Sequence, residues 1–598
     1  MAPTEPHPGL RFFGLLGLGL LALCAGWSAV VLGSATWAQA RQLDQIFPFY
    51  TWRTPPYTFA AYENLRRSFA LAGTLLAAGW VVTYLFKRNR AELEMVVQEL
   101  RRTGRGLWLG LQAMTSRHRY MALGAFALLT LLRLYFSIYN PEYDDAVSYE
   151  VFVSKGLLAT SAFYPIPNNH VFSNTLSLLF YQFSPGFWWS MRLPVLLIST
   201  GATAFLFAAL LRRAGFRVAA VAVTLFSWLQ LSLYHAGVGR GYWLLIGLAG
   251  VVFFSTLELV TPGGRHRAAW AGLVLAGVLG SYTVPTFVYV LASSFSWLGL
   301  AFLRQRQWVR LGLLVAAGLL VGLGTVFLYA PLLLVSGFDK FTGNGFVAPL
   351  APLAFWQGLP SYLWHNEGFL AGQRTLGTCI TLAVLSLVGW LFYLARRREL
   401  SSDQTVRLRQ LGLPALWFMG MPYAVVVVQR VFPPERVMLY KAFFFFILAG
   451  LVVDWLLQRW PAPTYRWPRR ALALLTVLFA TYETYSVVRV NPGARGTNAA
   501  YHAGLQWLAA HPAGPVLIPE PTHNLFFRFY AHTEERQRPW QIDSDQQGAT
   551  RYAYVVAFPS KRGFFQPLFP FAPAYHNSAV DIYIVPKDYP LVTKIWRH

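Results

Sequence analysis

The stretch LGLLVAAGLLVGLGTVFLYAPLLLV, residues 311–335, carries no charged side chain. As an α-helix at about 1.5 Å per residue it spans roughly 37 Å. That is enough to cross a hydrocarbon core of about 30 Å. Similar runs recur on both sides of it. Spans are expected at 11–37, 68–86, 119–138, 187–211, 218–234, 242–260, 268–283, 285–303, 311–335, 375–395, 411–429, 438–457 and 471–489. The sequence thus predicts an all-α polytopic membrane protein with about thirteen transmembrane helices. The two runs around Pro285 read either as two spans or as one re-entrant unit.

Composition agrees. Charged residues make up 13% of the 598 positions, against roughly 25% in a soluble protein. The formal charge of +25 raises the question of nucleic acid. The basic residues, however, sit in short loops between apolar runs, as they do in membrane proteins, so nucleic acid is not expected as a partner. Cys24 and Cys379 both fall in apolar runs, which excludes a disulfide framework or a Cys-based zinc site. Ala38-Gln39-Ala40 has the look of a signal-peptidase site. The preceding run is longer than the usual apolar region of about 7–15 residues, so it reads as a retained anchor.

Loop charge sets the orientation. Arg88, Arg101, Arg105, Arg119, Arg212, Arg217, Arg265, Arg304, Arg397 and Arg469 all lie in every second loop. Those loops should face the cytoplasm, with the N-terminus. The alternate loops, including 139–186 and 336–374, should face outward, and so should the tail. Three regions follow: two N-terminal helices plus a basic linker over 1–118, a transmembrane core over 119–489, and a small extracytoplasmic α/β domain over 490–598. In the tail, Trp507 to Ala510 suggests a helix. Val516-Leu517-Ile518, Tyr552 to Ala557 and Val580 to Val585 read as strands. The segment 88–118 reads as an amphipathic surface helix or as a charged linker.

The first outward loop places four acids in nine residues, Glu142, Asp144, Asp145 and Glu150. Adjacent carboxylates at a membrane surface repel and lose hydration, which suits a general base or a cation site. The competing reading is a helix cap at Asp144 or Asp145. The loop continues through Pro167-Asn168-Asn169-His170, an irregular backbone ending on a side chain able to donate a hydrogen bond or carry a proton. Arg240, within Gly237-Val238-Gly239-Arg240-Gly241-Tyr242, runs against the charge bias and calls for an anionic partner such as phosphate; snorkelling to headgroups is its alternative. Arg192, Arg436 and Lys441 stand near the same outer ends of spans. Glu483, in the last span, is a candidate partner for one of these cations, and Asp454 falls at the cytoplasmic end of its own span. No phosphate-binding loop, dinucleotide fingerprint or His-Glu-x-x-His motif occurs in a suitable context.

In this order these features resemble the family 39-like glycosyltransferases of the membrane-embedded GT-C class, among them protein O-mannosyltransferases and the aminoarabinose transferases of lipid A. Tyr143-Asp144-Asp145-Ala146 looks like the family's Asp-Glu-Ala motif, with Asp145 departing from its usual Glu. Pro167-Asn168-Asn169-His170, Arg192-Leu193-Pro194, Arg240-Gly241-Tyr242 and Pro434-Glu435-Arg436 are similar to segments placed along the family's core. The resemblance covers about 119–489. It implies a polyprenyl-phosphate-linked sugar donor and inverting transfer to a lipid, glycan or protein acceptor. Asp144 would be the base, with Asp145 beside it. Arg240, Arg192, Lys155, Arg436 and Lys441 would hold the donor phosphate. Asn168, Asn169, His170, Tyr242 and Tyr143 would contact substrate. Family members differ in metal use, and the adjacent aspartates leave a divalent cation open. Two rival classes share the apolar spans: a lipid or glycolipid transporter (flippase), and a non-catalytic membrane scaffold with an outward interaction domain.

Overall fold

A computed structural model describes residues 9–46, 58–261, 266–342, 348–459, 466–534, 538–545, 547, 549–561 and 572–586. Among these, eleven helices are long and apolar enough to cross a membrane. The pair Phe216–Trp228 and Gln230–Gly237, bent by 66°, is long and apolar enough only when its two helices are taken together, as a broken span or a re-entrant unit. At the remaining expected span, 268–283, the chain forms the 18-residue helix His266–Thr283, which is not among the eleven. The protein is an integral membrane protein.

Burial sorts the helices. Glu435–Arg459 lies at the centre, and its Phe444 meets Phe253 at 4.8 Å and Phe418 at 5.1 Å between ring centroids. Phe59–Leu85 and Arg466–Arg489 lie outside, with Leu71, Leu75, Leu474 and Leu475 exposed. In water so broad an apolar surface would aggregate; in a bilayer it meets lipid. The N-terminal helix Leu10–Gly33 is joined to the bundle, since its Trp27 Nε1 donates to Tyr282 Oη at 3.1 Å.

Around Pro285 the chain keeps two separate helices joined by the short 3₁₀ turn Pro285–Phe287. The break at Leu229 was not expected, because neither Gly nor Pro marks it. Its exposed helix start is satisfied from a distance, since the Gln230 N–H donates to buried Glu483. Glu483 therefore caps a helix, and among the described residues it meets no cation, contrary to the pairing expected from the sequence. The segment Lys87–Gln112 is one helix. It docks on the bundle through Glu92 with Arg267 (2.6 Å) and through Glu99, which accepts from the Ala268 N–H at 2.8 Å.

The last span does not stop at the membrane boundary. Arg466–Ala509 is a single 44-residue helix that enters the C-terminal domain. Among its described residues that domain holds five short strands: β1 Val516–Leu517, β2 Ile542–Asp543, β3 Tyr554–Ala557, β4 Tyr575–His576 and β5 Asp581–Ile584. Their order is β2-β1-β3-β5-β4; β1 pairs parallel with β2 and β3, and β5 antiparallel with β3 and β4. The helix Pro521–Thr533 packs one face on this sheet and the other on the first long loop of the bundle.

Candidate active site

The span Ser116–Ser137 ends just before the acidic loop. A short helix, Tyr143–Val147, opens there with Glu142 at its N-cap, so Asp144 and Asp145 fall in its first turn. Carboxylates are favoured at that end of a helix dipole. A π-helical turn, Ser148–Phe152, follows directly. Such insertions cluster at functional sites because they re-aim side chains.

The two aspartates are neighbours in sequence but face different partners. Asp145 is fully buried, and its Oδ2 lies 2.6 Å from Arg192 Nη2. Burial pushes its carboxyl upward, and the charges of Arg192 and Arg240 pull the other way, with burial the larger effect. Asp144 is 40% exposed, with Oδ2 3.9 Å from Arg240 Nη2. It is therefore the acid of the pair open to an incoming molecule.

The guanidinium of Arg192, which is 2% exposed, also donates to the Gly237 carbonyl and lies 5.2 Å from the Phe187 ring. That bond pins the turn Gly237–Gly241, which carries Arg240. Nη1 of Arg240 donates to Ser148 Oγ (3.0 Å) and to the Asn168 carbonyl (2.6 Å). Its Nη2 sits 3.0 Å from His170 Nε2. Glycine is required here by close approach: a Cβ on Gly239 would lie 3.0 Å from Met191 Cβ, and one on Gly241 would lie 2.9 Å from Ser173 Cβ.

His170 was expected to donate a hydrogen bond or to carry a proton; its surroundings oppose both. The Gly241 N–H points at Nδ1 from 3.0 Å, and Arg240 presents a donor to Nε2. A neutral imidazole has one acceptor nitrogen, so it accepts from one of the two at a time. Burial, joined by the charges of Arg240, His235 and Arg436, holds its pKa well below the ordinary 6.5. His170 thus packs between the Gly241 N–H and the Arg240 guanidinium, and accepting at Nδ1 ties it to the turn that carries Arg240.

The other predicted residues separate into groups. Tyr242 stacks edge-on to His170 (4.9 Å) and close to His235 (4.2 Å). Exposed Arg436 lies within electrostatic reach of His170. Buried Asn169 braces the loop, with Nδ2 donating to the Thr160 and Phe163 carbonyls (2.8 and 3.1 Å). Asn168 offers its carbonyl to Arg240, and Tyr143 packs half-buried against the apolar cluster that the first outward loop shares with the C-terminal domain. Lys155 and Lys441 do not join the arginines. Lys441 is buried against Glu367 Oε1 (2.6 Å), its Nζ 3.4 Å from the Tyr423 ring centroid. Lys155 binds Glu150 at 2.9 Å.

That Glu150 contact belongs to the domain interface. Buried Glu150 also receives Arg528 Nη2 at 3.1 Å and His532 Nδ1 at 3.0 Å from the helix Pro521–Thr533. Burial alone would raise its pKa, but His532, Lys155 and Arg528 outweigh it and hold Glu150 at about 2, below the ordinary 4.5. A depressed carboxylate stabilises docking fully above its unfolded pKa and loses that contribution as pH falls through the folded one. Hydrogen exchange in Pro521–Thr533, taken relative to the intrinsic rate of free amides at each pH, should therefore be constant from neutral pH to about pH 5 and accelerate as pH falls toward 2. In Glu150→Gln the fast exchange should already be present at neutral pH.

Sequence reading passed over His235, Tyr234 and Glu142 as a group. Tyr234 Oη donates to Glu142, and burial pushes that carboxyl upward. His235 lies five residues before Arg240, and that spacing was its available signal. Among the described residues no three His, Cys, Asp or Glu side chains converge to hold a metal ion.

No family model matches this chain, and no curated protein sequence matches it significantly. Among solved structures it is similar to ArnT from Cupriavidus metallidurans bound to undecaprenyl phosphate. The TM-score is 0.52 at 15% identity, covering 77% of this chain and 97% of that one. The apo state of the same protein gives 0.52 at 14%, covering 78% and 98%.

Proposed function

We propose, from the GT-C fold that this chain shares with ArnT, that it is a membrane-embedded inverting glycosyltransferase using a polyprenyl-phosphate-linked sugar. The observation that carries the reading is that Asp144, Asp145, Arg192 and Arg240, supplied by three separate segments, meet in one cluster. That cluster lies at the ends of the spans remote from the basic loops. The reaction would therefore take place on the extracytoplasmic face of a bacterial inner membrane, with the N-terminus in the cytoplasm and the C-terminal domain outside.

In this reading Asp144 accepts the proton of an acceptor hydroxyl or amine as that atom forms its bond to the anomeric carbon. The bond from that carbon to the phosphate oxygen breaks, and its electron pair leaves with the polyprenyl phosphate. Arg240 and Arg436 stabilise the departing phosphate. Arg240 is already oriented by Ser148 and Asn168, so little reorganisation is needed at the moment of reaction. Asp145 acts through Arg192, which it holds against the Gly237 turn.

The deciding assay follows radiolabelled sugar from a polyprenyl-phosphate donor to acceptor, with release of polyprenyl phosphate, in purified protein. Lipid translocation without transfer would instead identify a transporter. Arg240→Ala should raise the donor KM about 10- to 100-fold, the worth of a charge-assisted hydrogen bond to phosphate, and change the acceptor KM far less. Equal loss for both substrates would assign Arg240 to folding.

A further inference from the structure

At the opposite end of the bundle a cavity of about 870 Å³ opens between Ser116–Ser137, Leu193–Ala214, Phe216–Trp228 and the start of Arg466–Ala509, beside the end of Lys87–Gln112. Its volume falls in the roughly 300–1,000 Å³ range of ligand pockets. Arg119, Arg217 and Arg469 line it at the first turns of three helices, on the side of the basic loops. Leu129, Thr203 and Ser227 line it further in. Arg217 and Ser227 are ten residues apart on one helix, so the cavity is about 15 Å deep. That is half of a hydrocarbon core of about 30 Å, the depth of one leaflet.

The charge at the mouth is unbalanced. Arg217 shares Asp454 (3.3 Å) with Arg407 (3.4 Å). Arg119 donates to the Gln112 carbonyl at 3.0 Å, and neither Arg119 nor Arg469 has a carboxylate within ion-pair distance among the described residues. All three are exposed. We infer that this cavity is a binding site for an anionic glycerophospholipid of the cytoplasmic leaflet, its acyl chains in the apolar interior and its phosphate among Arg119, Arg217 and Arg469. A polyprenyl-phosphate donor does not fit the same description, because its phosphate belongs at Arg240, at the other end of the spans.

The test is native mass spectrometry of the purified full chain titrated with dioleoyl phosphatidylglycerol or dioleoyl phosphatidylcholine. Phosphatidylglycerol should be retained in preference. Arg119→Ala/Arg469→Ala should weaken its retention about tenfold or more and leave phosphatidylcholine unchanged. Ala220→Trp, which fills the cavity wall with every charge intact, should also release phosphatidylglycerol. Equal retention of the two lipids would overturn the inference, as would wild-type phosphatidylglycerol retention in both variants.

Discussion

Asp144→Asn should lower sugar transfer by about 10²- to 10⁴-fold, the contribution of a positioned general base. The exchange keeps the shape of a side chain that is 40% exposed and only 3.9 Å from Arg240 at its nearest cation. Little packing is lost, so the melting temperature and the yield of inserted protein should stay near wild type. Single-turnover transfer with saturating donor and acceptor separates the chemical step from binding. A variant that keeps near wild-type turnover would remove Asp144 from the chemistry altogether.

The second large effect is on stability. In Arg192→Met, Asp145 would stay buried without its guanidinium partner at 2.6 Å, and the Gly237 carbonyl would lose a donor. Removing one member of a buried ion pair costs about 3–5 kcal/mol, because the remaining charge has no compensation. Chemical denaturation in detergent should show a loss of that size. Adding Asp145→Asn should recover most of it, since the orphaned charge is then gone, yet transfer should remain impaired because the turn carrying Arg240 is no longer pinned. Full stability in the single variant would mean that the pair is more hydrated than the geometry indicates.

Hydropathy alone placed eleven of the expected spans, because a helix in lipid must carry an unbroken apolar run and leaves that record in one dimension. The site was legible in part for a related reason. Arg192 and Arg240 interrupt apolar or weakly charged surroundings, and Asp144 and Asp145 belong to an acidic cluster directly after a span, so each stands out locally. Lys155 and Lys441 were grouped with them on the same ground, yet they pair with Glu150 and Glu367. Which acid a cation meets depends on packing between segments; Glu367 and Lys441 lie 74 positions apart. The break at Leu229 left no trace for a similar reason, since its cap, Glu483, lies 253 positions away from Gln230. The helix Pro521–Thr533 did leave one. Glu520 accepts from the Thr522 N–H at 2.9 Å, and Pro521 occupies the first helical position, a start signal that was overlooked in favour of the strands.

The 44-residue helix Arg466–Ala509 measures about 66 Å at 1.5 Å per residue, longer than a whole bilayer of about 40–45 Å. Glu483 holds the arm bearing His235 from its middle, and Asn498 grips the Pro141 carbonyl beyond the membrane. A helix held at these two depths cannot tilt without moving both contacts. Thinner or thicker bilayers would thus strain the acidic loop and the arginine turn together, making membrane thickness a mechanical input to the reaction centre.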